Sequence, residues 1–158
     1  MIITEVGQKA PDVLLYDIDK KPVKISDFKG KTTVLLFFPG AFTGTCTKEM
    51  CMFRDEMSRY NNLNAKVVGI SVDSPFALKG FKNANSLDFP LLSDFARNAV
   101  NLYGVLMQDF GGLPGYTAAK RSVFVLDRDQ KIRFKWVSDN PGVEPDYATV
   151  AREAEAVK

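Results

Sequence analysis

The chain has 158 residues, 46% of them hydrophobic and 25% charged, the size and composition of one ordinary globular domain, read here as residues 1–158. A formal net charge of +2, with lysines spread along the chain, leaves no electrostatic footprint for nucleic acid, and no stretch approaches the roughly 18 apolar residues of a membrane helix. The absence of histidine removes the commonest metal ligand and the usual general base, which excludes an imidazole zinc site, a Cys/His protease and a Ser/His/Asp triad.

The amino end, MIITEVGQKAPDVLLYD, carries neither the basic flank nor the apolar run of a signal peptide, so a cytoplasmic location is expected. TVLLFF (33–38) reads as a fully buried strand, and the Pro/Gly/Thr-rich turn after it leads into a helix over 44–60. KVVGISVD (66–73) is a second strand, followed by a helix over about 75–85. The strand-like FPLLSD precedes a helix over about 95–103, and QDFGGLPGY (108–116) is a loop whose Gly, Pro and aromatic content suits a shaped surface at a substrate entrance or a dimer face. SVFVLD (122–127) and KIRFKWVS (131–138) flank the turn RDQ as a hairpin, and a helix over 146–157 closes the chain. This alternation predicts an α/β domain without repeats or low-complexity linkers.

Both cysteines lie in PGAFTGTCTKEMC (39–51). A reducing compartment favours a catalytic or an inert role for them over a structural disulfide. Cys46 falls in the first turn of the expected helix, where unpaired N–H groups and the macrodipole favour a thiolate without any histidine. The competing reading is a buried, unreactive thiol. Cys46, Met50, Phe53, Met57 and Tyr60 recur at spacings of 4, 3, 4 and 3, so Cys46 faces inward with an apolar stripe, while Cys51 sits about 140° round the helix beside Arg54 and Asp55. Helix geometry holds the two Cα atoms roughly 8 to 9 Å apart, beyond the reach of a disulfide. The thiols are therefore unrelated, or they bond only after this stretch of helix unwinds.

PGAFTGTC fits the PxxxTxxC signature of the peroxiredoxins, with Pro39, Thr43 and Cys46 at its fixed positions. The flanks VGQKAPDVLLYDIDKKPVKISDFKGKTTVLLFF, VVGISVDSP, FPLLSD and KRSVFVLDRDQKI also resemble that family, over nearly the whole chain. The resemblance implies a thioredoxin-like fold, a central mixed β-sheet with helices on both faces. It further implies a thiol-dependent peroxidase acting on hydrogen peroxide and organic hydroperoxides, with no cofactor and no metal. Cys46 would be the peroxidatic thiolate that becomes a sulfenic acid. Arg121 would lower its proton affinity and orient the peroxide. Thr43 would offer a hydroxyl to sulfur and peroxide, and Pro39 would shield the thiolate from water. Singly, Thr43 reads equally as an N-cap, Pro39 as a turn former and Arg121 as a solvated residue; their joint occurrence around Cys46 points to chemistry. Glu49 matches an acidic position that pairs with an arginine, and serves equally as an exposed first-turn carboxylate.

The spacing of Cys46 and Cys51 resembles the bacterioferritin-comigratory or Q-type group, in which the second thiol resolves the sulfenic acid within one chain. With no cysteine near the carboxyl end, a two-chain resolving scheme is out. The implied reductant is thioredoxin-like or a low-molecular-weight thiol, and the expected assembly is a monomer or small homodimer. Three alternatives compete. A thiol-disulfide reductase on the same fold needs two residues between its thiols, not four, and a copper chaperone needs a histidine. A non-catalytic binding module or holdase would leave peroxide untouched.

Overall fold

The computed structural model describes residues 4–157. In chain order its elements are β1 (Leu14–Asp17), β2 (Pro22–Lys24), β3 (Thr32–Phe37), α1 (Gly44–Asp55), α2 (Met57–Asn62), β4 (Ala65–Ser71), α3 (Pro75–Asn85), β5 (Leu91–Ser93), α4 (Asn98–Leu102), β6 (Leu106–Met107), β7 (Ala118–Ala119), β8 (Ser122–Leu126), β9 (Ile132–Val137) and α5 (Tyr147–Ala156). Seven strands form one sheet in the order β2-β1-β5-β4-β3-β8-β9, and β6 pairs with β7 in a separate ribbon. β3, β4 and β5 run parallel, while β8 returns antiparallel beside β3. The sheet is thus mixed, as expected.

Strand side chains alternate between faces, and here both faces are apolar because both are covered. Val34 and Leu36 of β3 join Val67 of β4 and Val125 of β8 in a core roofed by α1, α2, α3 and α5. Leu35 and Phe37 join Val68, Ile70 and Phe124 in a second core closed by α4 and by Ile25 of a 3-10 turn. Side chains of this kind, fully removed from water, each contribute about 1.5 to 3 kcal/mol. The continuous apolar run of β3 is buried throughout for this reason.

The stripe read from the sequence is the face by which α1 and α2 pack: Cys46, Met50, Phe53, Met57 and Tyr60 all lie in the first core. The single helix expected over 44–60 is nevertheless two. Glu56 (φ −97, ψ 4) leaves helical geometry and closes α1 with a tight bond from its N–H to Phe53 O. The helix expected over about 95–103 starts later, at Asn98, because both oxygens of Asp94 accept the N–H groups of Ala99 and Val100 and cap it there. The helices at 75–85 and 147–156 are capped by Ser74 and Asp146, and the expected hairpin forms, with the Asp127 carboxylate accepting from Asp129 and Lys131 in its turn.

Gly69 makes room for the Leu91 side chain opposite it in the sheet. A Cβ there would lie 2.6 Å from Leu91 Cδ2, 3.4 Å from Phe38 Cε1 and 3.6 Å from Met50 Sδ, in a core with no slack. Gly69→Ala is expected to destabilise the protein by about 1 to 3 kcal/mol, read as a lower urea midpoint at unchanged m-value; an unchanged midpoint would show that Leu91 repacks freely.

Candidate active site

Three segments converge at one end of the sheet. β3 ends at Phe37 and delivers Pro39 and the turn to Thr43; α1 starts at Gly44; and β8 is preceded by Arg121. The antiparallel register, with Phe37 opposite Ser122, sets Arg121 across from the start of that turn. Thr43 is the N-cap residue of α1 by backbone conformation, so Cys46 occupies the first turn, as the sequence predicts.

Arg121 is the hub of the site. Its Nη2 donates to Cys46 Sγ at 3.2 Å and to Pro141 O at 2.7 Å, and its Nη1 donates to Glu49 Oε1 at 2.7 Å. The sulfur, the guanidinium and the carboxylate are all buried: Cys46 and Glu49 are 0% exposed and Arg121 1%. An inert thiol needs no such partner. The reading of Glu49 as an exposed carboxylate fails, because position 49 turns inward one residue before Met50 and meets a cation there.

Burial pushes the Glu49 carboxyl up from 4.5 to about 7, although the Arg121 charge and hydrogen bond pull the other way. The physical reason is visible in its bonding: Oε1 has Arg121, but Oε2 has no partner among the described residues. For Arg121, burial works against its charge, and Glu49 and Cys46 outweigh it, so the guanidinium holds its proton more tightly than in water.

A cavity of about 210 Å³ opens beside this cluster, lined by Thr43, Thr45, Phe110, Arg121 and Pro141 among others. Phe110 comes from the aromatic loop at 108–116, which therefore borders the site's entrance. Its ring packs on Tyr116, centroids 5.5 Å apart. Thr43 reaches the cavity but not the sulfur: its hydroxyl donates to Gly40 O at 2.8 Å. Neither does it cap the helix by its side chain. Pro39 is buried at the end of β3. Cys51 stands apart from the cluster, half-buried, with its Sγ 3.8 Å from Asn85 Oδ1 and with Arg54 bonded to the Asn85 carbonyl.

Sequence reasoning missed the Pro141 carbonyl, since a backbone acceptor leaves no residue signature, and left the role of Phe110 open. The Glu49 pairing was one of two readings, and burial decided it.

The profile described as the AhpC/TSA family matches residues 6–135. The chain belongs to this family. Peroxiredoxin Bcp of Bacillus subtilis (strain 168) is 37% identical over 134 residues, covering 84% of this chain and 84% of that protein. The chloroplastic peroxiredoxin Q of Populus jackii is 41% identical over 122 residues, 77% of this chain and 55% of its own. Among solved structures, peroxidoxin BcpB of Mycobacterium tuberculosis superposes with a TM-score of 0.84 at 31% identity, covering 98% of this chain and 99% of that one. The protein is accordingly a peroxiredoxin of the Bcp/Q type, a thiol-dependent peroxidase on the thioredoxin-like fold, and the reductase and binding-module alternatives are not favoured.

In this peroxiredoxin Glu49 ties stability to pH. Its folded-state value lies above its unfolded one, so its stabilising contribution is present below about pH 4.5 and is lost as pH rises through about 7. Wild type is expected to lose on the order of 3 kcal/mol from this group across that window, and Glu49→Gln to lose less. Urea midpoints at about pH 5 and about pH 7.5 measure the difference; identical losses in the two proteins would assign the titration elsewhere.

Proposed function

We propose that this peroxiredoxin reduces hydrogen peroxide and organic hydroperoxides at Cys46 and regenerates it through an intrachain bond to Cys51. The observation that carries the reading is the buried guanidinium of Arg121, 3.2 Å from Cys46 Sγ. A permanent cation at that distance, at a helix start, is placed to compensate negative charge at the sulfur during the reaction.

The thiolate attacks one peroxide oxygen, the O–O bond breaks, and the departing alkoxide or hydroxide takes a proton to leave as alcohol or water. Sulfur gains the hydroxyl and becomes a sulfenic acid. Arg121, shared between the cavity and the sulfur, steadies the negative charge as it moves from sulfur to the leaving oxygen. The Thr43 hydroxyl has its proton committed to Gly40 O, which leaves its lone pairs free to accept from the O–H of the peroxide. Buried Pro39 keeps water from the back of the turn.

Resolution requires the Cys51 thiol to displace the sulfenic hydroxyl as water, forming the Cys46–Cys51 disulfide. Both residues lie within α1, so the helix start must unwind first; each backbone bond lost costs about 1 kcal/mol net. Only the few residues between the two thiols need open. A thioredoxin-like protein or a small thiol then reduces the disulfide. No described helix is long and apolar enough to cross a membrane. The proposed enzyme is cytoplasmic and works as one domain in a monomer or small homodimer.

Turnover should vanish in Cys46→Ser, and Arg121→Gln should slow single-turnover peroxide reduction about 100-fold or more. Equal rates would remove Arg121 from the mechanism. Intact mass after one equivalent of peroxide should show loss of two hydrogens, with peptide mapping joining Cys46 to Cys51. Cys51→Ser should instead gain one oxygen, stall with thioredoxin and over-oxidise more readily. Full thioredoxin-driven turnover in Cys51→Ser would place the resolving thiol elsewhere.

A further inference from the structure

Phe42 has φ 64, a left-handed backbone that strains a bulky aromatic residue far more than glycine or asparagine. Its ring does not account for the conformation, being 61% exposed and touching the protein by an edge contact to Phe81, centroids 5.4 Å apart. A backbone outlier of this kind persists only where surrounding bonds over-determine it.

Those bonds come from the preceding residue. The N–H of Ala41 donates to Asp73 Oδ2 at 2.8 Å, and the same oxygen accepts from Ser71 Oγ at 2.6 Å. Asp73 is itself fixed: its N–H donates to Ser71 Oγ at 3.2 Å and its carbonyl accepts from Ser93 Oγ at 2.5 Å. Ser71 ends β4 and Ser93 ends β5. The carboxylate is thus mounted on the carboxyl ends of two parallel strands and reaches across to the turn that feeds α1.

We propose that Asp73 is a positioning residue for the nucleophile: by holding the Ala41 N–H it keeps the 39–43 turn closed, sets Cys46 at its distance from Arg121, and resists unwinding of α1. Its bonds reach neither Cys46 nor Arg121, and it acts through the backbone. Two opposing forces meet in the turn. The Asp73–Ala41 bond favours the closed form, and the strained backbone of Phe42 favours the open one, so loss of the bond tips the turn toward opening. The effect on Cys46 oxidation stands on the geometry of the turn; the effect on disulfide formation rests in addition on the reading of Cys51 as resolving thiol.

The test measures single-turnover oxidation of Cys46 by hydrogen peroxide in Asp73→Ala and Asp73→Asn, each in a Cys51→Ser background that isolates the first step. Asp73→Ala is expected to lower that rate constant at least about tenfold, since small displacements of a reacting group are costly, and to speed hydrogen exchange over residues 40–48 while β3 and β8 keep their protection. Asp73→Asn, which retains an oxygen acceptor for Ala41, should keep most of the rate. In the chain that retains Cys51, Asp73→Ala should oxidise more slowly yet form the Cys46–Cys51 disulfide faster, a pair of opposite signs that general destabilisation does not produce. Unchanged oxidation together with unchanged exchange over 40–48 would overturn the proposal, and so would faster exchange spread evenly over the whole sheet. If Cys51→Ser alone turned over fully with thioredoxin, the resolving role would fail while the first-step result still decided Asp73.

Discussion

A cation fully buried between a thiol and a carboxyl governs this protein. Taking an arginine out of water is expensive unless each N–H that loses a water finds an acceptor. Arg121 meets that condition for three of its five N–H groups, with Cys46 Sγ, Glu49 Oε1 and the Pro141 carbonyl, while Nε has no partner among the described residues. Removing any one of these acceptors would leave a further N–H of a buried cation without a partner. The ion pair also ties together segments far apart in sequence: 75 residues separate Arg121 from Cys46 and 72 separate it from Glu49.

The fold makes this contact possible by fixing directions. β3 is the strand flanked by β4 in parallel and β8 in antiparallel pairing, so the chain leaves β3 at the end where β8 begins. The turn that leads to Cys46 and the arginine therefore face each other across adjacent strands, and α1 drops its stripe of Met50 and Phe53 onto the sheet beside them. Gly69 leaves room for Leu91 in that core. Packing of this density transmits position with little slack, so residues in the core contribute to the geometry of the sulfur without touching it.

The proposed reaction places two demands on the same helix. Its first turn must hold the sulfur at the guanidinium for oxidation, yet an intact α1 keeps Cys46 and Cys51 on different faces. The two thiols are anchored differently. Cys46 is buried in the core, whereas Cys51 is half-buried, with one long sulfur hydrogen bond among the described residues, to Asn85.

The sequence by itself determined what local periodicity and local chemistry encode. The α/β alternation was legible because buried strands and amphipathic helices have different periods, and the inward stripe from Cys46 to Tyr60 because side chains four and three apart share a helix face. The PxxxTxxC signature located the proposed nucleophile and its turn, since those residues are contiguous. Only the tertiary structure decided whether Glu49 served the helix dipole in solvent or an ion pair in the core, because burial depends on what packs over a position and not on the position's neighbours in the chain. It alone broke the long helix at Glu56, shortened the helix after Asp94, brought the loop of Phe110 to the mouth of the cavity and supplied the Pro141 carbonyl to Arg121. Each of these rests on a contact between distant segments or on a backbone group common to all residues, and neither leaves a mark in composition or spacing.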